Sequence, residues 1–164
     1  MGGWRVTAIH AYRSGNPLQV YNGGIETGFG QWGVRADVIP GVDQKVAWQG
    51  PVNSIDGTQD LNPEAFGSPG VDPEWESYAL RWGTAPRFLP YTRGPGFQSE
   101  DVGLLKDTKI TERFILKFRA DFFNFLNRTG RGDPDTDVSS DTFGKIFGVA
   151  QRPRNIMLSL RLDF

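Results

Sequence analysis

Residues able to do covalent chemistry are scarce in this 164-residue chain. It has no cysteine and one histidine, His10. That excludes disulfides, thiolate metal sites, cysteine nucleophiles and paired-histidine zinc motifs. His10 lies in an apolar segment, with no serine and aspartate spacing that would build a triad around it. A local hydrogen bond or an interfacial position is the expected role. Gly28-Phe29-Gly30-Gln31-Trp32-Gly33 fits the G-x-G-x-x-G pattern. Dinucleotide binding needs a strand before that pattern and a helix after it, so that the pyrophosphate meets a helix N-terminus. The next segment, Val34-Arg35-Ala36-Asp37-Val38-Ile39-Pro40, reads as extended, so no nucleotide is expected. Asp133, Asp135, Asp137 and Asp141 could offer oxygen ligands to Ca²⁺. Counted from Asp133, however, an EF-hand needs Gly at position 6 and Glu at position 12, where Val138 and Gly144 stand. A solvated acidic turn is expected there. No cofactor, metal site or enzymatic activity is implied, and the net charge of -1 gives no reason to expect nucleic acid.

Aromatic side chains are the remaining candidates for ligand contact. Trp32, Trp48, Trp75 and Trp82, with Tyr78 and Tyr91, fall in one punctuated stretch. They could form stacking platforms for a ligand. The preferred reading is that they pack a long loop against itself, because anchoring is the commoner role of large aromatics.

The elements that would position such residues are strands. Gly 21 and Pro 11 both exceed their usual share, which disfavours long helices and points to a loop-rich all-β protein. No stretch approaches the roughly 18 apolar residues of a helical membrane span. The start lacks the basic segment and apolar run of a signal peptide, so the chain is expected either to stay in the cytosol or to be part of something longer. Period-2 alternation marks four long strands, at about 4–13, 101–110, 114–126 and 154–164. Residues 16–100 are broken throughout by pairs such as Pro40-Gly41, Asn62-Pro63 and Pro69-Gly70, with short strands expected at Leu18–Tyr21 and Val34–Ile39. Residues 127–153 form a second, polar loop with a short strand around Phe143–Val149.

The last strand is the most informative. Ile156, Leu158, Leu160, Leu162 and Phe164 share one face, and Met157, Ser159, Arg161 and Asp163 share the other. A transmembrane β-strand needs this pattern, with lipid on one side and a polar lumen on the other. About 11 residues at ~3.3 Å each, tilted ~45°, span roughly 26 Å against an apolar band of ~25 Å. The interior strand repeats the pattern. Phe114, Leu116, Phe118 and Phe122 are expected to face lipid, and Lys117, Arg119 and Asp121, like Arg161 and Asp163, to line the lumen. Trp4, Tyr12, Phe125 and Phe164 fall near strand ends, where barrels carry aromatic girdles.

The terminal Phe164 with its alternating apolar predecessors resembles the β-signal read by the barrel assembly machinery of bacterial outer membranes. Arg119-Ala120-Asp121-Phe122-Phe123-Asn124-Phe125-Leu126-Asn127-Arg128 is similar to the FN-x-x-N strand of TonB-dependent receptors, and most similar to their Oar-like branch, which carries a carboxypeptidase-regulatory-like domain. Ser14-Gly15-Asn16-Pro17-Leu18, Asn62-Pro63-Glu64-Ala65-Phe66, Arg93-Gly94-Pro95-Gly96-Phe97, Phe143-Gly144-Lys145-Ile146 and Arg152-Pro153-Arg154 match the same branch in order. Arg131-Gly132-Asp133 departs from it, standing where an Asn-Phe-Gly type of sequence is expected. The resemblance implies that residues 1–164 form the C-terminal barrel segment of a larger receptor, with energised uptake of a large ligand as the function of the whole. The implied partners are outer-membrane lipid, the remaining barrel strands and plug, the assembly machinery, and TonB through a missing N-terminal part.

Loop lengths support this topology. With Phe164 in the periplasm, residues 16–100 and 127–153 both fall outside and the short Thr111-Glu112-Arg113 turn falls inside, as outer-membrane barrels require. Four strands cannot close a barrel, so further strands are expected. The alternative is a soluble, secreted β-sandwich with binding loops.

Overall fold

A computed structural model describes residues 2–26, 32–47, 57–69 and 82–164. In chain order the elements are β1 (Trp4–Arg13), β2 (Tyr21–Glu26), β3 (Trp32–Arg35), β4 (Asp37–Val38), β5 (Thr58–Gln59), a 3-10 turn (Pro63–Ala65), β6 (Phe66–Gly67), β7 (Phe97–Lys109), β8 (Ile115–Phe123), β9 (Lys145–Ile146) and β10 (Asn155–Asp163). The protein is all-β, and there is no α-helix among the described residues. The chain divides into two compact units. One, the sheet unit, comprises Met1–Arg13, Phe97–Gly130 and Ala150–Phe164. The other, the loop unit, comprises Ser14–Gly96 and Arg131–Val149.

The sheet unit is one antiparallel sheet in the order β1-β7-β8-β10, which is chain order for its four members. Its registers fix the faces. Trp4 lies opposite Lys106, Val6 opposite Leu104 and Tyr12 opposite Gln98. Val102 lies opposite Phe122, and Phe122 in turn opposite Ile156. Leu160 meets Phe118, and Leu162 meets Leu116.

Strand bounds differ from the sequence reading for local reasons. The strand expected at 101–110 starts four residues earlier, because Phe97–Glu100 pair with Arg13–His10 along the rest of β1. The strand expected at 114–126 is trimmed at both ends. Phe114 belongs to the turn, where its carbonyl accepts from the Ile110 and Thr111 amides. The other end stops at Phe123 because Asn124 (φ 52°) and Asn127 (φ 51°) adopt the left-handed conformation, which cannot continue a strand. The last strand runs from Asn155 to Asp163 rather than 154–164.

Asn tolerates that conformation better than most residues because its short side chain can bond to nearby backbone. Here the Asn124 side chain accepts from the Arg128 amide at 2.8 Å and donates to the carbonyls of Arg128 and Arg152 at 2.8 and 3.1 Å. The spacing of the two asparagines therefore has a physical basis: both sit where the chain turns off the sheet.

The loop unit has a core of its own. Leu18, Val20, Ala36, Leu61, Ala65, Phe66, Leu89 and Phe143 form one buried cluster. Its pairings join segments far apart in sequence: β2 with β3, β4 with β6, and β5 with β9. The extended run expected at Val34–Ile39 is split between β3 and β4 at the buried Ala36, whose amide donates to the Val20 carbonyl at 3.2 Å. The strand expected at Leu18–Tyr21 lies instead at Tyr21–Glu26, since Leu18 and Val20 are spent on the core. The strand expected around Phe143–Val149 shrinks to Lys145–Ile146. Gly144 (φ 75°) enforces the close approach beside it, for a Cβ there would lie 2.5 Å from the Leu61 carbonyl oxygen.

Candidate functional site

The sheet separates polar from apolar residues by face. One face carries Val6 and Ala8 from β1, Val102 and Leu104 from β7, Leu116, Phe118, Ala120 and Phe122 from β8, and Ile156, Leu158, Leu160 and Leu162 from β10. Much of it is exposed: Val6, Leu158 and Leu160 are each at 68%. Phe164 comes directly after β10 and is also exposed, and Phe114 stands in the turn, outside the face to which its spacing assigned it.

The opposite face carries all five charged residues expected on it. Asp107, Lys117 and Arg161 lie at directly facing positions on β7, β8 and β10. Lys117 Nζ lies 2.5 Å from Asp163 Oδ2, and Arg161 Nε lies 2.6 Å from Asp163 Oδ1. Arg119 Nε donates to Asp121 at 2.6 Å, and Arg5 Nη2 to Asp107 at 2.8 Å. The result is a partly exposed array of ion pairs of both signs, in which Lys117, Asp163 and Arg161 form one linked triad. On the same parity, Ile9 and Met157 are exposed apolar residues that break the polar pattern.

At one end of the apolar face the pattern is interrupted by a polar network. Glu100 has the phase of Val102 and Leu104 and is 3% exposed. It accepts from the Tyr12 hydroxyl at 2.7 Å and from Arg128 Nε at 2.9 and 3.0 Å. His10, directly across from Glu100, stacks on Tyr12 at a centroid distance of 6.2 Å. At the other end Lys106 Nζ lies 5.0 Å from the Trp4 ring centroid, a cation–π contact. The aromatic residues Trp4 and Tyr12 thus mark the two ends of β1. The sequence reading missed Glu100 because the strand expected at 101–110 began one residue after it; its place two residues before Val102, in the same phase, is the signal that could have found it.

In the loop unit, an open groove of about 940 Å³ lies over Leu18 and Val34 and is walled by Tyr21, Trp82 and Phe88. Arg35 and Arg87 also line it. Of the four tryptophans named as ligand contacts, Trp82 is in this groove at 65% exposure. Trp32 contributes its backbone to β3, and Trp48 and Trp75 lie outside the described residues, as does Tyr78. Trp82 and the 96%-exposed Tyr91 do not pack the loop against itself, as the sequence reading preferred; aliphatic residues with Phe66 and Phe143 do that instead. Most of the glycine-rich Gly28–Gly33 run also lies outside the described residues, and Val34 and Arg35 after it are extended within β3.

The acidic turn is used internally. Asp137 accepts from the amides of Gly23 and Ser139 and from the Ser139 hydroxyl, at 2.7–2.9 Å. Asp135 accepts from the Thr142 hydroxyl at 2.7 Å and the Asp137 amide at 3.0 Å. Burial opposes ionisation of Asp135, but its bonds from the Ser140 and Thr142 hydroxyls and the Asp137 amide outweigh that and hold its pKa below the usual carboxylate value. At Asp137 burial is likewise outweighed, by the Gly23 amide and Ser139, and its pKa is also lowered despite the nearby Asp135 charge. Among the described residues, no group of three or more His, Asp or Glu side chains is arranged to hold a metal ion.

An exposed apolar face backed by a charged one, on strands long enough to cross a bilayer, is the arrangement of a membrane barrel wall. The family model of an outer membrane beta barrel domain matches residues 1–157, and the chain belongs to that family. It is an outer-membrane protein, which sets aside the soluble, secreted sandwich. No curated protein and no solved structure matches the chain.

Proposed function

We propose that this chain is a wall segment of a TonB-dependent outer-membrane receptor of the Oar-like type, contributing four barrel strands and the ligand-facing loop unit. The observation that carries this reading is the two-faced sheet with both edges open. Among the described residues, β1 and β10 each pair on one side only. In hydrocarbon every unpaired N–H or C=O costs several kcal/mol, so both edges need further strands. A barrel several times wider than four strands has room for a ligand and for a plug, as the large plugged transporters do. The FN-x-x-N run, the ordered Asn-Pro and Gly-Pro-Gly motifs, and the C-terminal alternation point to the same branch.

In this reading the apolar face, with Leu116, Phe118, Phe122, Ile156, Leu158, Leu160 and Leu162, meets lipid. The array of Lys117, Arg119, Asp121, Arg161 and Asp163 lines the lumen. The strand ends Arg13, Phe97, Phe123 and Asn155, from which both long segments depart, face the cell exterior. The chain's own residues do no covalent chemistry. They form a wall, and the groove around Trp82 offers aromatic and guanidinium contacts to an incoming ligand.

Native outer membranes, blotted with an antibody to residues 131–149 after formaldehyde crosslinking, test this. The receptor reading predicts a band several times heavier than the 18.3 kDa of these 164 residues, with an adduct to TonB. A heat-stable species at 18.3 kDa with no adduct would contradict it.

A further inference from the structure

We propose that Arg128 and Arg154 form a binding site for the phosphate of an outer-leaflet lipid headgroup, at the rim of the sheet's apolar face. This rests on the reading that the apolar face meets lipid.

Both guanidiniums are tied to one backbone pairing, in which the Phe125 amide donates to the Glu100 carbonyl at 2.7 Å. Arg128 binds Glu100 through Nε alone; among the described residues its two terminal nitrogens have no partner. Its side chain is 40% exposed. Arg154 is exposed, and its Nη1 reaches the Phe125 carbonyl at 3.5 Å while its amide donates to Asn127 Oδ1 at 3.1 Å. The Phe125 ring stands edge-on to Phe122 at 5.7 Å, and Phe122 faces Ile156 across the sheet. Arg128, through the Glu100 carboxylate, and Arg154, through the Phe125 carbonyl, are thus both anchored at the end of the sheet that carries Phe122, Phe125 and Ile156.

Each of these features selects for a phosphorylated lipid. A planar guanidinium with two free terminal nitrogens matches phosphate oxygens bidentately. One carboxylate does not neutralise two guanidiniums, and Arg154 has no acidic partner among the described residues. The apolar residues directly beneath are where an acyl chain would run, which a free phosphate would not use. Glu100, fixed by Tyr12, acts as a positioning residue: it orients the Arg128 fork without itself contacting the ligand.

The full protein, reconstituted in phosphatidylcholine vesicles doped with phosphatidic acid and then extracted in mild detergent, tests this by mass spectrometry of the retained lipid. Phosphatidic acid is expected to be enriched over its share of the vesicle. Arg154→Gln and Arg128→Lys are each expected to reduce that enrichment about tenfold, the usual worth of a hydrogen bond to a charged group. Arg128→Lys keeps a cation beside Glu100, so that loss of the fork is separated from loss of the fold. Undiminished enrichment in both variants, or complete displacement of the lipid by inorganic phosphate, would overturn the proposal. A nitroxide placed by Leu160→Cys in the same vesicles reports whether the apolar face meets lipid. If it does and no phosphatidic acid is retained, this inference fails alone; if it does not, the barrel-wall reading fails first.

Discussion

Leu61, Leu89, Ile146 and Val20, the largest fully buried side chains among the described residues, all belong to the loop unit. In the sheet unit Ala120 is buried, while Val6, Leu158 and Leu160 lie open on the same face. The loop unit follows the ordinary rule for a protein in water, with apolar groups inside. The sheet unit inverts it, with apolar groups exposed on one face and ion-paired charges on the other. On the proposed barrel-wall reading, the same side-chain types occupy opposite places because the solvent differs: water repels an exposed leucine, whereas lipid accepts it and repels an exposed guanidinium.

Substitutions that reverse the environment in each unit should therefore give opposite results. Leu61→Ala opens a cavity in the loop core and is expected to cost about 2–5 kcal/mol there. Hydrogen exchange should quicken at Leu89, whose amide donates to the Leu18 carbonyl, while the barrel keeps its heat-modifiable mobility on gels. Leu160→Arg on the apolar face is expected to cost about 2–4 kcal/mol in lipid, whereas Ser159→Arg, one residue away on the polar face, should cost little. Urea unfolding of the whole protein in vesicles measures both. Equal costs at 159 and 160 would remove the distinction between the faces.

Two smaller effects sharpen the comparison. Asn124→Ala removes a side chain that makes three hydrogen bonds and tolerates a left-handed backbone, and is expected to cost about 1–3 kcal/mol. Limited proteolysis should then cut near Asn127. In the loop unit, Asp135 and Asp137 have lowered pKa values, so their contribution is present above the ordinary aspartate value of about 3.9 and is lost as pH falls through the lowered values. Hydrogen exchange around Gly23 should therefore rise below about pH 4, and Asp137→Asn should flatten that dependence.

The two units differ equally in what their sequences disclose. A strand with lipid on one side and a polar lumen on the other must alternate, so β1 was legible to the residue and the other three long strands to within a few residues. Their ends were less legible, because pairing decides them: Phe97–Glu100 are polar enough to read as loop and become strand only opposite His10–Arg13. The loop unit was read as punctuation with a few short strands. Its core joins Leu18, Leu61, Leu89 and Phe143, none of which has a period to betray it, through strands such as Thr58–Gln59 and Lys145–Ile146 that exist only as partners of each other. Arg35, Arg87 and Trp82 likewise meet in one groove only because the fold brings them there.

These 164 residues contain no cysteine, so a thiol introduced among them is unique within the segment and makes the central claim directly measurable. Single cysteines at Leu158, Ser159, Leu160 and Arg161, spin-labelled in the full protein in vesicles, should alternate. Labels at 158 and 160 should relax with oxygen dissolved in lipid, and those at 159 and 161 with a water-soluble nickel chelate. That phase places the apolar face against the bilayer. No alternation, or the opposite phase, would show that the exposed leucines of this sheet do not face lipid.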